Sequence, residues 1–351
     1  MQARKGSVFG PIGPVSPRAA PALRKDHSME LPRPLRAAID AELEGVPGEA
    51  LRKASDILSG RYRAETRDGR LHLSDDLFAK AYVAARMPAT FAALSSALGE
   101  AADALADFSP LTLLDVGAGP GTALWAATER FDTLEGATLL EASRPIRAMG
   151  ERLGEGAFGF RPDWREGHVE RDMDAAPSAD LVTLSYVLDE LPPARLRPLV
   201  EALWARTQGL LLIVEPGTPA GYARILEARR ALIESGAAIA APCPHEEACP
   251  LEAPDWCHFA RRVARSRVHL RTKSAEVPWE DEKFSYVAAT RLAPASRAAR
   301  ILAPPETGSG KVHLKLCEGD GEMRRRLLTK RDGDAFRRAR RADWGEAIDL
   351  A

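Results

Sequence analysis

One segment constrains the fold of this chain more than any other. Residues Leu111 to Thr122, LTLLDVGAGPGT, read as an apolar strand running into a turn with three glycines. ALWAATERF then continues as a helix. Three further apolar strands follow: ATLLEAS (137–143), DLVTLSYVLDELP (180–192) and GLLLIVEPG (209–217). Helical patterns separate them, including a long one from Ala220 to about Ser235. Alternating strands and helices predict a parallel, doubly wound sheet.

The glycine turn predicts a ligand. Gly117, Gly119 and Gly121 permit a tight turn and let a ligand lie close to the backbone. The helix that follows turns its electropositive end toward that ligand. The spacing is G-x-G-x-G and not the G-x-G-x-x-G of nicotinamide enzymes. Asp115 precedes the first glycine, in line with a cationic ligand end. Glu141 ends the second strand, where an acid can accept hydrogen bonds from two ribose hydroxyls. The combination resembles the class I methyltransferases, which implies S-adenosylmethionine as cofactor. Asp115, Gly117, Ala118, Gly119, Gly121, Glu141, Ser185 and Tyr186 are the expected cofactor-binding residues. The plainer reading makes Asp115 a turn cap and Glu141 an exposed strand end.

A catalytic residue is not evident. Amino-directed nucleic-acid methyltransferases carry an Asn/Asp-Pro-Pro-aromatic loop after the third strand, and here Ser185 to Glu190 stands in its place. No cysteine lies there or at Glu215-Pro216, so a thiolate nucleophile is missing from the usual positions. Asp189 or Glu190 can serve as a base, or as acids at a helix start before Leu191.

The second constellation is made of cysteines. The 351 residues contain four: Cys243, Cys249, Cys257 and Cys317. So few in so long a chain do not make a disulfide scaffold. Three fall within APCPHEEACPLEAPDWCHF (241–259), among prolines and few aliphatics. Buried structural cysteines favour apolar surroundings. This loop has the composition of a metal knuckle, ordered by its metal rather than by a core. Four thiolates suit zinc and also suit a 4Fe-4S cluster. Structural zinc sites pair cysteines two to four apart, and the wider gaps here favour a cluster, with zinc as the alternative. His245 and His258 are candidate nitrogen ligands or neighbours of a complete four-cysteine site. Trp256 is expected to cover it from water.

The formal net charge is −1, which argues against a chain that coats nucleic acid over its whole surface. The charge is uneven. Residues 261–273 hold Arg261, Arg262, Arg265, Arg267, Arg271 and Lys273 and no acid, and residues 322–341 hold nine Arg/Lys and three acids. Such patches can bind RNA phosphates, or be solvated helix faces. The first patch is the expected RNA-binding segment.

The remaining stretches set the organisation. Residues 1–28 are basic, proline-bearing and without an acid before Asp26, and read as disordered or as an over-long start before Met29. They have no secretory apolar core and no amphipathic targeting period. Leu35, Ile39 and Leu43, then Leu51, Ala54 and Leu58, fit amphipathic helices. An Ala- and Leu-rich helical stretch from Asp75 to Leu105 is broken at Pro88. Residues 29–107 are therefore an N-terminal helical region, and 108–240 the cofactor-binding core. A four-cysteine metal-binding insertion is expected at 241–275. KFSYVAATR, VHLKLC and RRLLTKRD in 276–351 are expected to complete the sheet and end in a basic tail, with a loop at 294–310. The fold class is α/β: a Rossmann-like class I methyltransferase sheet with an N-terminal helical region and a cysteine-rich metal-binding insertion. No run of eighteen apolar residues occurs, so no membrane span is expected.

Several segments together resemble one family. They are YVAARMPATFAAL, LLDVGAGPGTALWAA, SYVLDELP, the Glu215-Pro216-Gly217 triplet, CPHEEACP and DWCHF, the late KLC and the Trp344-Gly345 pair. The family is the methyltransferase-like assembly factor of the small ribosomal subunit, found in mitochondria and many bacteria. The resemblance covers about residues 30–346. It implies binding to the immature small subunit and its ribosomal RNA, and a 4Fe-4S cluster on Cys243, Cys249, Cys257 and Cys317. It implies that adenosylmethionine is bound, and leaves methyl transfer open. A bacterial member would act in the cytoplasm and a eukaryotic one in the mitochondrial matrix, as a monomer. The alternatives are an active RNA or protein methyltransferase with a structural zinc site, and a small-molecule methyltransferase with a zinc knuckle.

Overall fold

The computed structural model describes residues 28–64, 73–105, 107–295 and 297–350. The expectation for residues 1–28 therefore falls almost wholly outside the described residues.

Four helices come first: α1 (Arg33–Glu42), α2 (Gly48–Arg63), α3 (Asp76–Ala85) and α4 (Met87–Ala104). Their apolar periods bury Leu35 and Ile39 on α1 and Leu51, Ala54 and Leu58 on α2. The Asp75 side chain caps α3 by accepting from Phe78 N at 2.9 Å. The break between α3 and α4 falls at Arg86, two residues before Pro88. Pro88 sits in the first turn of α4, where its missing N–H leaves no bond unmade.

The main sheet contains β1 (Thr112–Val116), β2 (Gly136–Glu141), β3 (Asp163–Glu166), β4 (Ala179–Ser185), β5 (Thr207–Pro216), β6 (Ala238–Ala241), β7 (Phe259–Ala264) and β8 (Trp279–Thr290). Its order is β3-β2-β1-β4-β5-β8-β6, with β7 also on β8. Strands β1 to β5 are parallel, and β8 runs antiparallel to β5. This is a Rossmann-like, doubly wound arrangement with an antiparallel strand beyond β5. Helices α5 (Thr122–Arg130), α6 (Arg144–Leu153), α7 (Pro193–Arg206) and α8 (Pro219–Glu234) link the strands. The N-terminal helices, α5 and α6 share one apolar layer, while α7 and α8 cover the other face. Strand β3, DWRE, has no counterpart among the expected strands: it is charged, lies at the sheet edge and carries no apolar pattern.

Three expectations about the C-terminal half are corrected. The cysteine segment is shorter than 241–275. Phe259 and Val263 are buried at alternate positions of β7, and α9 (Arg267–Thr272) follows, so the irregular part spans 242–258. Of the late strands, KFSYVAATR does lie in the sheet, as β8. VHLKLC and RRLLTKRD do not. They form a second, antiparallel sheet from β9 (Ala299–Ile301), β10 (Glu306–Gly308), β11 (Lys311–Cys317), β12 (Met323–Thr329) and β13 (Ala347–Ile348). Its apolar face, with Val312, Leu314 and Leu316, packs with Phe336 and Ala339 of α10 (Gly333–Arg341), making a core of its own. Both β9 and β10 lie within the expected loop at 294–310.

Strands β6 and β7 pair with successive parts of β8, opposite its β5 edge. The chain leaves the sheet between them, and that excursion carries three of the four cysteines.

Candidate cofactor pocket and four-cysteine cavity

The chain turns sharply after β1. Gly117, Gly119 and Gly121 have φ of +67°, +55° and +77°, a region closed to most side chains. At Gly117 a Cβ would also lie 2.5 Å from Val187 Cγ2. The turn borders a pocket of about 330 Å³. Gly117, Gly119, Glu141, Ser185, Tyr186, Val187, Asp189 and Glu190 line it, and Tyr62, Tyr82 and Arg86 reach it from the N-terminal helices.

Glu141 is anchored by the backbone. Its Oε2 accepts from Gly119 N at 2.8 Å and its Oε1 from Ser143 N at 2.7 Å. Each oxygen retains lone-pair capacity for a ligand hydroxyl. Burial raises its pKa, and the two amides oppose that rise. Asp115, Ala118 and Gly121 are not among the lining residues. Asp115 stands in register with Thr183 of β4 and accepts from Thr183 Oγ1 at 2.7 Å. It is thus buried behind the pocket wall, where burial pushes its carboxyl up to about 7.

The pocket is rich in acid. Burial, then Asp189, Glu141 and Glu215, push Glu190 up to about 8. Glu215, fully buried beside the lining residues and not one of them, is also raised to about 8, chiefly by burial, although Arg224 Nε donates to its Oε2 at 2.7 Å. Carboxylates crowded in a half-closed space favour a cation.

The partners that hold Tyr186 left no mark in the sequence. Arg86 Nη1 and Nη2 donate to Glu282 Oε2 and Oε1 at 3.1 and 2.9 Å. The Tyr186 hydroxyl donates to the same Oε1 at 3.0 Å, and the Arg86 guanidinium lies 5.1 Å from the Tyr186 ring centre. Tyr186 has φ of +57°, unusual for an aromatic residue. The three residues come from a helix junction, the loop after β4 and strand β8.

The four cysteines line one small cavity of about 30 Å³. Cys243, Cys249 and Cys257 come from the segment between β6 and β7, and Cys317 from the end of β11 in the second sheet. The Tyr222 hydroxyl shares a hydrogen bond with Cys249 Sγ at 3.1 Å, and His245 Nε2 lies 3.2 Å from Cys317 Sγ. Burial and then neighbouring cysteines push the Cys317 thiol up to about 12, against Arg229 and Arg300. Cys257 moves the same way for the same reasons. Among the described residues no group of three or more His, Cys, Asp or Glu meets the geometry of a metal-ion site. Trp256 stacks on His258 with ring centres 4.8 Å apart and donates from Nε1 to the Gly217 carbonyl at 3.1 Å. Burial lowers the His258 pKa.

The basic run after the cysteines is divided by the fold. Arg265 and Lys273 both bind Glu280, at 2.9 and 2.6 Å, and are largely covered. Arg261 Nε donates to Ser96 Oγ at 2.8 Å. Arg262 is exposed but pairs with Asp281 at 2.9 Å. Arg267 and Arg271, on α9, are exposed. The sequence pattern showed six cations between positions 261 and 273, but not the acids of β8 that meet Arg262, Arg265 and Lys273.

Residues 76–349 match the family described as mitochondrial small ribosomal subunit Rsm22. The chain is 32% identical to "Ribosome assembly protein METTL17, mitochondrial" of Homo sapiens, over 77% of its own length and 62% of that protein. It is 24% identical to "Rsm22-cox11 tandem protein 2, mitochondrial" of Schizosaccharomyces pombe, over 77% of this chain and 43% of that one. The chain thus spans less than two thirds of either relative. Among solved structures, an O-methyltransferase family protein from Burkholderia thailandensis matches with a TM-score of 0.40 at 16% identity, covering 74% of this chain and 72% of that one.

Proposed function

Since this chain belongs to the Rsm22 family of the mitochondrial small ribosomal subunit, we propose that it is a methyltransferase-like assembly factor for the small ribosomal subunit. In this reading it binds S-adenosylmethionine in the glycine-turn pocket, holds a 4Fe-4S cluster on its four cysteines and contacts ribosomal RNA as a monomer. It acts where small subunits mature: the cytoplasm of a bacterium or the mitochondrial matrix. Among the described residues no helix is long and apolar enough to cross a membrane.

The carrying observation is the convergence of all four cysteines on one cavity. Three come from one segment and the fourth from another sheet. The donor set is right for iron or zinc. Buried thiols that raise one another's pKa are relieved by a cationic centre. The hydroxyl of Tyr286, buried in the same wall, has no hydrogen-bond partner among the described residues, as expected where a polar group belongs. Cys243, Cys249, Cys257 and Cys317 would hold the cluster, which would order the 242–258 segment against the second sheet.

The pocket residues fit adenosylmethionine. Glu141 would accept the ribose hydroxyls, Gly117 and Gly119 would let the ligand approach the backbone, and Asp189 and Glu190 would face its cationic end. Asp115 would act from behind, holding β1 to β4. When bound, the cofactor supplies an electrophilic methyl group on sulfonium. Ser185 and Tyr186 would close the pocket beneath Arg86. The core 108–240 would bind the cofactor, the region 29–107 would roof it, and Arg267 and Arg271 would lead the RNA contact.

Complementation tests the reading. Cells lacking the protein would receive wild type, Cys257→Ser or Gly117→Ala, and ribosomal subunits would be resolved on sucrose gradients. The cysteine variant is expected to lose mature small subunits. Normal small subunits with Cys257→Ser, and their loss with Gly117→Ala together with an unmethylated RNA or protein target, would favour an active methyltransferase with a structural zinc site.

A further inference from the structure

Five side chains line the cysteine cavity besides the cysteines and can donate hydrogen bonds from N–H or O–H: Tyr222, Arg229, Ser285, Tyr286 and Arg300. Four have protein partners. The Tyr222 hydroxyl shares a hydrogen bond with Cys249 Sγ at 3.1 Å, and Ser285 Oγ donates to the Cys257 carbonyl at 2.8 Å. Arg229 Nη2 donates to the His245 carbonyl at 2.8 Å. Arg300 Nε donates to the Pro242 carbonyl at 2.8 Å and its Nη1 to the Gly345 carbonyl at 2.7 Å.

Tyr286 differs. It is 3% exposed, and its hydroxyl makes no hydrogen bond among the described residues. Its ring is held by Phe259 and Phe284, with centres 5.4 and 5.9 Å away. Its backbone is paired to Val214 of β5. The side chain is therefore fixed in place with a buried donor unused. Such orphans are rare because a buried hydroxyl that has lost water is destabilising until it finds an acceptor.

We propose that Tyr286 is a positioning residue that donates its hydroxyl proton to a non-protein acceptor held between the four cysteines, and that this acceptor is inorganic sulfide. The inference rests on the cluster reading above. Zinc held by four thiolates brings no acceptor atom of its own, whereas an iron–sulfur cluster brings sulfides with free lone pairs. A hydrogen bond to cluster sulfur stabilises the more negative, reduced form and so raises the reduction potential.

The test compares full-length wild type with Tyr286→Phe, which keeps the ring and its packing. Both are purified without oxygen and assayed for iron, sulfide and zinc. The loaded proteins are then titrated with dithionite and followed by electron paramagnetic resonance. The variant is expected to favour the oxidised state by about tenfold, a midpoint lower by about 59 mV for one electron. Metal-free samples are unfolded in urea in parallel. The metal-free variant is expected to be at least as stable as metal-free wild type, because the phenol has no partner there to lose. Four irons in both proteins with equal midpoints would overturn the role of Tyr286 and leave the cluster reading standing. A metal-free variant weaker than metal-free wild type would also overturn it, and that arm needs no loaded variant. Zinc without iron or sulfide in wild type would overturn both.

Discussion

Arg86 and Glu282 lie 196 residues apart in the chain and meet in a two-pronged ion pair, with N–O distances of 2.9 and 3.1 Å. The pair joins the α3–α4 junction to strand β8, and Tyr186 binds the same carboxylate from the pocket side. Helical roof, sheet and pocket wall therefore share one carboxylate. Glu282→Gln keeps the size and removes the charge. It is expected to lower stability by about 2 kcal/mol, the scale of hydrogen bonds to a charged group, less any screening of the partly exposed Arg86. The urea midpoint reads the loss, and a midpoint within error of wild type would show the pair to be idle.

Gly117→Ala tests the cofactor pocket. Its Cβ would meet Val187 Cγ2 at 2.5 Å, on a backbone with φ of +67°. Adenosylmethionine binding, measured by calorimetry, is expected to weaken by more than about tenfold, or about 1.4 kcal/mol, while the circular dichroism stays native. Adding Val187→Ala removes the clash but not the backbone strain, so part of the affinity should return. Unchanged affinity in the single variant would move the ligand elsewhere.

The raised acids give a pH dependence with a definite sign. Asp115 is pushed up to about 7 and Glu190 to about 8, while both titrate near about 4 when unfolded. The folded state thus binds protons that the unfolded state releases. Their contribution to stability is complete below about pH 4 and is lost as pH rises through about 7 to 8. Ligand-free protein should therefore melt at a higher temperature at pH 6 than at pH 8.5. A cationic ligand favours ionised acids, so its binding should release protons near pH 7. Calorimetry in buffers of different ionisation heat counts them, and a count of zero would contradict a cation beside Glu190.

Removing one thiol tests the metal reading. Wild type purified without oxygen is expected to be brown with about four irons. Cys257→Ser should lose most of the iron and the colour. One tightly held zinc in a colourless protein would support the structural-zinc alternative instead.

The divided basic run separates exposed cations from internal ones, which makes the proposed RNA contact testable. Arg267→Ala with Arg271→Ala should weaken RNA binding and reduce the slope of log affinity against log salt by about 1 for each phosphate that is no longer neutralised. Arg265→Ala should act through Glu280, lowering the melting temperature with a smaller change in that slope. Filter binding across a salt series distinguishes them. Equal slopes for both variants would remove α9 from the interface.

The parallel core, the glycine turn and the identity of the four cysteines were legible in the chain alone, because each rests on local signals. An apolar run between turns can only be buried, and three glycines within five residues mark a turn that few side chains tolerate. The N-terminal helices were legible for the same reason, from apolar residues three and four apart. The remainder was settled only by the folded arrangement. Which late strands joined the main sheet depended on whether a partner edge remained free. The edge of β8 was already taken by β6 and β7, so β11 and β12 built a separate sheet. The burial of Asp115 behind the pocket depended on Thr183, in register with it on β4. The Arg86–Glu282–Tyr186 cluster and the capture of Arg265 and Lys273 by Glu280 join residues from different elements. Charge and hydrogen bonding act through space, and a chain position records none of the distances on which they depend.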